Sequence, residues 1–376
     1  MDLSTTETQG MLRETLARFL ADNYSFDARQ KMIASPEGRD PGIWRALSSE
    51  LGLTCAPFAE DLGGMGGGSI ENLIMMEEFG KVIAIEPWVQ TVVAGGGALV
   101  AACGPLAEAT IPAIIAGDCV IAFAYAEPQG RYNLADIGTT AKADGAGYVL
   151  NGHKGVVYAA PWATHLLVTA RTGGGRRERE GVELFLIDAK AKGISRRDYP
   201  TVDGFRASEV YFENVAIPGE ALLSGGIDLI ERVVDECTVA VCAEATGISR
   251  AMLAQTVEYT GQRKQFGVPI GKFQVLQHRM ADMLVEAEQI ASMALMGTLR
   301  LDAEKDARKA AVSMVKAKVA KSIRFIGQSA VQTHGGIGIT MELAIGHYFK
   351  RATMIEGQFG SADYHLERFE ALTYAA

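Results

Sequence analysis

The chain changes its hydrophobic periodicity twice along its length, and this limits the folds that it can adopt. Residues 1–120 and 226–376 carry apolar side chains at helical spacing, whereas residues 121–225 contain short β-type runs separated by turns. Helices and strands bury apolar residues with periods of 3.6 and 2. The sequence therefore predicts an α+β protein with an N-terminal helical domain (1–120), a small middle β-barrel or sandwich domain (121–225) and a C-terminal four-helix-bundle domain (226–376).

Two long apolar stripes support the helical reading of the C-terminal part. One consists of Met280, Leu284, Ala287, Ala291 and Leu295, and the other of Val312, Val315, Val319, Ile323 and Ile326. Stripes of this length are typical of helices packed in a bundle.

The middle region contains four predicted strands, at 120–125, 147–150, 165–170 and 182–187. The Asn-Gly pair at 151–152 suits a tight hairpin turn, because both residues tolerate positive φ. The glycine- and charge-rich run at 173–181 predicts an exposed, mobile loop with solvated charges.

Composition excludes some classes of function. The formal net charge of −9 argues against nucleic-acid binding, which favours a basic surface. The N-terminal residues lack the features of a signal peptide, and the apolar runs are shorter than the roughly 20 residues that cross a bilayer. The five cysteines have no CxxC spacing. We therefore expect a cytoplasmic protein with reduced cysteines, no membrane partner and no metal site.

The run RKQFG at 263–267 is a candidate phosphate-binding element. The Arg263 guanidinium can pair with two phosphate oxygens, and the Phe266 ring can cover a purine. The alternative is an exposed arginine at a helix end, followed by a core phenylalanine.

The run QTHGG at 332–336 is a second candidate. Glycines at 335, 336 and 338 would let backbone amides approach a ligand closely. A helix that simply stops at a glycine cap is the alternative.

Both runs, with Gln274, resemble segments of the acyl-CoA dehydrogenase family. So do LGL at 51–53, DLGG at 61–64 and AEP at 126–128, in the same order and at suitable spacing over essentially the whole chain. The resemblance implies FAD-dependent α,β-dehydrogenation of an acyl-CoA thioester. A glutamate would remove the α-proton, the β-hydrogen would leave as hydride to FAD, and a second flavoprotein would accept the electrons.

The resemblance also implies which residues contact the cofactor. In this family the flavin ring lies against the β region of one subunit, and a neighbouring subunit holds the ADP end. The ADP-side positions of this sequence are Arg263, Gln265, Phe266, Gln274, Gln332, Gly335 and Gly336.

The ring-side positions depart from the family pattern. Ala126 stands where the family has a flavin-binding threonine, and QGRY at 129–132 replaces a Gly-x-Gly-Ser turn. Val156 and Tyr158 stand where a tryptophan and a threonine are usual.

The catalytic base is also displaced. One family location corresponds here to residues 359–360, with Glu356 three positions early; the other corresponds to residues 237–238, with Glu236 one position early. One position on a helix is about 100° of rotation. Glu236 and Glu356 are the two candidate bases, and the alternative for each is an ordinary surface glutamate.

This sequence keeps the ADP-side residues of the family and departs from it at the ring-side positions. In this combination it resembles the smaller subunits of bacterial heterotetrameric acyl-CoA dehydrogenases of steroid side-chain and dicarboxylate (pimeloyl-CoA type) degradation. Their segment matching 154–160 is similar. This implies an α2β2 complex in which a homologous partner supplies ring site and base. Two other hypotheses stay open: a self-sufficient homotetramer with a relocated base, and a catalytically silent assembly subunit.

Overall fold

The computed structural model describes residues 5–374, and these residues form eleven α-helices. The helices are α1 (Glu7–Asn23), α2 (Phe26–Ala34), α3 (Pro41–Arg45), α4 (Ser69–Val82), α5 (Gly97–Ala102), α6 (Pro105–Ala116), α7 (Gly226–Gln262), α8 (Gln274–Leu299), α9 (Lys305–His334), α10 (Ala344–Gly357) and α11 (Ala362–Tyr374). Two further segments, Ala46–Glu50 and Val89–Gly96, are π-helical.

Strands occupy the middle of the described chain, together with one short hairpin after α7. They are β1 (Ile121–Ala124), β2 (Thr140–Asp144), β3 (Gly147–Tyr158), β4 (His165–Arg171), β5 (Val182–Asp188), β6 (Ile194–Pro200), β7 (Arg206–Pro218), β8 (Leu222–Leu223), β9 (Lys264–Gln265) and β10 (Val268–Pro269). The predicted order of helical, β and helical regions is confirmed.

Contacts between Cα atoms divide the chain into two compact units. The first unit takes the residues up to Lys31, Ser69–Ala84 and the residues from Thr238 onward; the second takes Met32–Gly68 and Ile85–Cys237. The division falls inside α7, so one continuous helix contributes to both units. The limits of the three predicted domains stay predictions.

The second unit contains an eight-stranded sheet. Its order is β6-β7-β3-β2-β4-β5-β8, and β1 pairs in parallel with β4. Ala141, Leu150, Val168 and Val210 are fully buried in the core beneath this sheet. The longest pairing, between β3 and β7, has two register shifts, between Leu150 and Gly152 and between Lys154 and Val157. The second shift includes Val156, one of the ring-side positions.

The predicted hairpin turn at residues 151–152 is wrong. These residues lie inside β3, where Asn151 pairs with Thr140, and the turn between β2 and β3 follows Asp144 instead. Gly152 lies at the first register shift of β3. A Cβ at this position would lie 2.4 Å from Thr139 Oγ1, which explains why the residue is glycine. Glycine was therefore a correct sign of a special backbone position, but of a bulge and not of a turn.

In the first unit, α9 packs against α8, α10 and α11. The predicted α9 stripe is confirmed, since all five of its residues are fully buried. The predicted α8 stripe is partly wrong: Leu284 is 50% exposed, and Ala287 is the one predicted member that lies in the core. The buried α8 face consists instead of Met283, Ala287, Ile290, Ala294, Gly297 and Thr298. Apolar residues occur on two faces of α8, so periodicity did not identify the inner one.

The loop at 173–181 is exposed, as the sequence predicts, and hydrogen bonds and ion pairs also anchor it to the rest of the unit. The Arg171 guanidinium donates to six carbonyl oxygens, among them those of Ala135, Arg176 and Glu178. Arg176 and Arg177 each bind one oxygen of the buried Asp136 carboxylate, at 2.7 and 2.8 Å.

One described helix, α7, is long and apolar enough to cross a membrane by length and composition. In the most apolar window of this helix, 78% of the residues are buried inside the protein. Such burial is typical of a core helix.

Candidate functional site

The RKQFG run forms a tight hairpin directly after α7. Lys264 pairs with Pro269 and Gln265 with Val268, so Phe266 and Gly267 form the two-residue turn. Their φ angles are 53° and 81°, and two-residue hairpin turns with both central residues at positive φ match the twist of the strands. Phe266 is 91% exposed. The alternative of a core phenylalanine is therefore wrong, and the ring is free to meet a ligand.

The QTHGG run ends α9 and opens a corner. Gly335 has a φ of 66°, and its N–H donates to the carbonyls of Gln332 and Val331, which closes the helix. A Cβ at Gly335 or Gly336 would have no atom within 4 Å. Close packing inside this chain therefore does not explain the absence of side chains at these two positions. The corner is a helix stop and is also open to a ligand.

The fold brings the hairpin and the corner together in the first unit. The hydroxyl of Tyr259, in the last turn of α7, donates to the carbonyl oxygen of His334 at 3.3 Å, and the two rings stack with centroids 4.4 Å apart. Arg263 follows Tyr259 by one helical turn. All seven ADP-side residues of the sequence prediction are exposed, namely Arg263, Gln265, Phe266, Gln274, Gln332, Gly335 and Gly336.

The ring-side positions lie in the second unit, around a buried ion pair. The fully buried Lys154 ammonium donates to Glu127 Oε1 at 2.7 Å and to Thr169 Oγ1 at 2.8 Å. The Glu127 carboxylate also accepts from the backbone N–H of Gly138 at 2.7 Å and of Thr139 at 3.1 Å. These bonds join the loop after Ala126, the start of β2 and the middle of β3.

This environment keeps Glu127 ionised. Burial alone would raise the pKa of its carboxyl group, but the Lys154 charge and the donated hydrogen bonds outweigh burial and lower the pKa to about 2. Both residues lie in the motifs at 126–128 and 154–160, but nothing in those motifs predicts their pairing. The sequence around Lys154 is polar and gave no sign of its burial, which only the fold decides.

The altered ring-side residues have strained backbones. Arg131 has a φ of 48° and Val156 a φ of 52°. Positive φ is uncommon for an arginine and an outlier for a β-branched valine. Val156 lies in the second β3 bulge, where its N–H points at Glu209 Oε1 at 3.5 Å. The Glu209 carboxylate also accepts a hydrogen bond from the Tyr199 hydroxyl at 3.0 Å, and its other oxygen lies 2.6 Å from His153 Nε2.

Glu236 lies on α7 with its carboxylate engaged. Its Oε1 accepts from Arg232 Nε at 2.9 Å, one helical turn away. Its Oε2 lies so close to Gly97 that a Cβ there would be 2.4 Å from it. The side chain is therefore a half-buried, arginine-paired glutamate.

Glu356 lies near the end of α10 and is also paired with an arginine. Its Oε2 accepts from Arg324 Nε at 2.7 Å. The residue at the family's own position, Phe359, is buried with a φ of 59°. Lys316 on α9, which no motif of the sequence indicates, donates to the carbonyl oxygens of Ile355, Glu356 and Gly360. These bonds hold the C-terminal end of α10 against α9.

Residues 5–374 contain no group of three or more His, Cys, Asp or Glu side chains that could hold a metal ion.

Comparison with known proteins identifies the family. Residues 6–117, 122–215 and 224–371 match the acyl-CoA dehydrogenase N-terminal, middle and C-terminal domains. The chain belongs to the acyl-CoA dehydrogenase family. It is thus an oxidoreductase of the class that acts on acyl-CoA thioesters, and the cofactor is FAD.

Individual relatives are distant but extend over most of the chain. YngJ of Bacillus subtilis, named as a probable acyl-CoA dehydrogenase, is 26% identical over 96% of this chain and 97% of its own length. CarC of Acetobacterium woodii, a subunit of the caffeyl-CoA reductase-Etf complex, is 29% identical over 80% of this chain and 82% of its own length. A solved variant of the Tcur3481-Tcur3483 steroid ACAD is 27% identical, with a TM-score of 0.88 and 97% coverage of both chains.

The two halves of the candidate site fit FAD unequally. On the ADP side, the open glycine corner and the exposed Phe266 ring leave room for a nucleotide beside the Arg263 charge. On the ring side, Ala126 has no hydroxyl to donate, and Val156 offers little surface to a flat ring. The residues of this chain therefore match the family pattern on the nucleotide side of the cofactor and depart from it on the flavin side.

Proposed function

We propose that this chain takes part in acyl-CoA dehydrogenation as the subunit that holds the ADP half of FAD for a homologous catalytic partner. One observation carries the proposal: the ADP-side residues keep the family pattern and lie exposed around one corner, while Ala126, Val156 and Tyr158 replace the family's residues on the ring side. A site whose two halves come from different chains explains both findings.

The chemistry of the residues supports this role. The Arg263 fork pairs with oxygens of the pyrophosphate, the Phe266 ring covers the adenine, and the bare backbone at residues 335–336 allows close approach of the phosphates. Gln265, Gln274 and Gln332 add amide donors at the rim. When bound, FAD supplies the hydride acceptor of the reaction; the partner supplies the ring site and the base.

The state of the two candidate bases argues against a self-sufficient enzyme. A general base must present a carboxylate oxygen to the α-proton of the substrate, and a carboxylate that is bound by an arginine is not free to do so. Glu236 and Glu356 each have such a partner. The homotetramer with a relocated base therefore requires one of them to leave its arginine when substrate binds.

We extend the proposal to partners and substrate. The assembly is an α2β2 complex, electrons pass to an acceptor flavoprotein, and the substrate is a bulky acyl-CoA of the steroid side-chain or dicarboxylate type. The similarity to the steroid ACAD and to a subunit of an Etf-containing complex supports these choices. A cytoplasmic location stays part of the proposal.

The test is the flavin content of the chain expressed alone, measured by absorbance between about 350 and 550 nm, as flavin per protein. We expect a nearly colourless protein that retains FAD when co-purified with a homologous partner. In that complex R263A should abolish flavin retention, and R250A, on an exposed face of α7, is the matched control.

A yellow protein with close to one FAD per chain, bleached by an acyl-CoA, would contradict the shared-site proposal. E236Q and E356Q would then separate the two candidate bases. A complex that keeps its FAD and its activity with R263A would instead favour the silent assembly subunit.

A further inference from the structure

We propose that Tyr259 and His334 are positioning residues for nucleotide recognition, which together hold the Gly335–Gly336 corner in place beside the Arg263–Phe266 hairpin. The ligand class is an adenosine diphosphate group, so the inference rests on the function proposed above. We call this pair the Tyr–His latch.

Tyr259 is joined to both elements. Its backbone carbonyl accepts the N–H of Arg263 at 2.8 Å, so it forms the last helical bond before the hairpin. Its hydroxyl donates to the carbonyl oxygen of His334 at 3.3 Å, and its ring stacks on the imidazole at an angle of 26°. The hairpin and the corner thus share one side chain.

Two further contacts hold His334 in place. Its Nδ1 lies 2.8 Å from the carbonyl oxygen of Ala330, and because a carbonyl only accepts, Nδ1 carries the hydrogen. Burial lowers the pKa of the imidazole, which keeps the ring neutral at neutral pH. The turn after the corner folds back on this residue: a Cβ at Gly338 would lie 2.9 Å from His334 Cβ.

The latch has a physical purpose because the corner is made of two consecutive glycines. Glycine has more backbone freedom to lose than any other residue, so an unsupported corner would have to be ordered when the ligand binds. Holding its first carbonyl in advance lowers that cost and strengthens binding. The peptide that Tyr259 holds is the one that connects His334 to Gly335.

The experiment titrates ADP, and separately adenosine, into the purified full-length chain and follows each ligand by saturation-transfer NMR. Y259F removes the hydrogen bond and keeps the stacked ring, while Y259L removes both. We expect weaker ADP binding, by about two- to tenfold for Y259F and by more than about tenfold for Y259L. V257A, at an exposed position on the same turn of α7, should leave the ADP affinity unchanged.

The adenosine titration separates positioning from general destabilisation. Adenosine lacks the phosphates that would meet the corner, so its affinity should not change in Y259F. A loss of ADP affinity with unchanged adenosine binding supports the latch. Equal affinities for ADP in Y259F and the unmodified chain, or an equal loss for both ligands, would overturn it. If Y259L does not fold, Y259F still decides.

R263A distinguishes this inference from the proposed function. Loss of ADP binding in R263A with no effect of Y259F would leave the ADP-holding role intact and remove the latch. Unchanged ADP binding in R263A would remove the proposed function itself.

Discussion

At the scale of the residue, the buried pair of Lys154 and Glu127 depends on mutual compensation of charge. Lys154 and Glu127 lie in the β unit with their charges matched and their hydrogen bonds satisfied. Removing one partner of such a pair leaves an uncompensated buried charge, which is more costly than the pair is stabilising.

We predict that E127Q destabilises the protein by about 3–5 kcal/mol, because it leaves the Lys154 ammonium without a counter-charge. Urea unfolding at pH 7 measures the change, and E213Q, at an exposed position on β7, is the control. The folded pKa of Glu127 is about 2, below the ordinary value of 4.5. Its contribution is therefore complete above pH 4.5 and is lost as the pH falls towards 2. A variant as stable as E213Q would contradict this role.

His365 provides a second prediction. Burial, and then the charge of Lys316, lower its pKa to about 3 from the ordinary 6.5. Between these values the unfolded chain binds a proton that the folded chain does not, so stability falls on acidification by about 1.4 kcal/mol per pH unit. H365Q should remove about 2 kcal/mol of the stability difference between pH 7 and pH 5. Urea midpoints at both pH values test this, with the exposed His278→Gln as control; equal pH dependence in H365Q and the unmodified chain would refute it.

At the scale of the element, two glycines set how closely the helices α4 and α7 cross. In the first unit α4 and α7 meet at two glycines: a Cβ at Gly247 would lie 2.0 Å from the carbonyl oxygen of Glu77, and one at Gly80 would lie 2.2 Å from that of Glu244. Backbone atoms cannot turn away as a flexible side chain can. The crossing distance therefore depends on both glycines.

We predict that G247A separates α4 from α7 and destabilises the protein by about 3 kcal/mol, the upper end of the usual cost of overpacking, because backbone atoms must shift. Gly261→Ala, on the same helix with open space around it, should be neutral or stabilising by up to about 1 kcal/mol through helix propensity. Thermal unfolding of the two variants compares them directly. Similar midpoints for both would show that the helices can separate at little cost.

At the scale of the whole molecule, α8 exposes apolar residues that a partner in the proposed assembly would cover. Leu284 and Val285, neighbours on α8, are each at least half exposed. We predict that L284E reduces the oligomer mass measured by light scattering, because it places a charge on a surface that a partner would cover. Q289E, an exposed position on the same helix, is the control. An unchanged mass for L284E would mean that this face stays in solvent.

The sequence by itself determined the order of helical and β regions and the α9 core stripe. These features depend on neighbours close in the chain, where periodicity and glycine placement act directly. It also singled out the RKQFG and QTHGG runs as candidate phosphate-binding elements, with an ordinary helix end as the alternative for each.

Only the tertiary structure decided which face of α8 is buried, that the glycine at 152 makes a bulge, and which charges pair. Glu127 with Lys154, Glu356 with Arg324, and Tyr259 with His334 each join residues at least 27 positions apart. Nothing in the local pattern of either partner specifies the other. Such pairs form because the packed core places two groups together and burial then makes a missing partner costly.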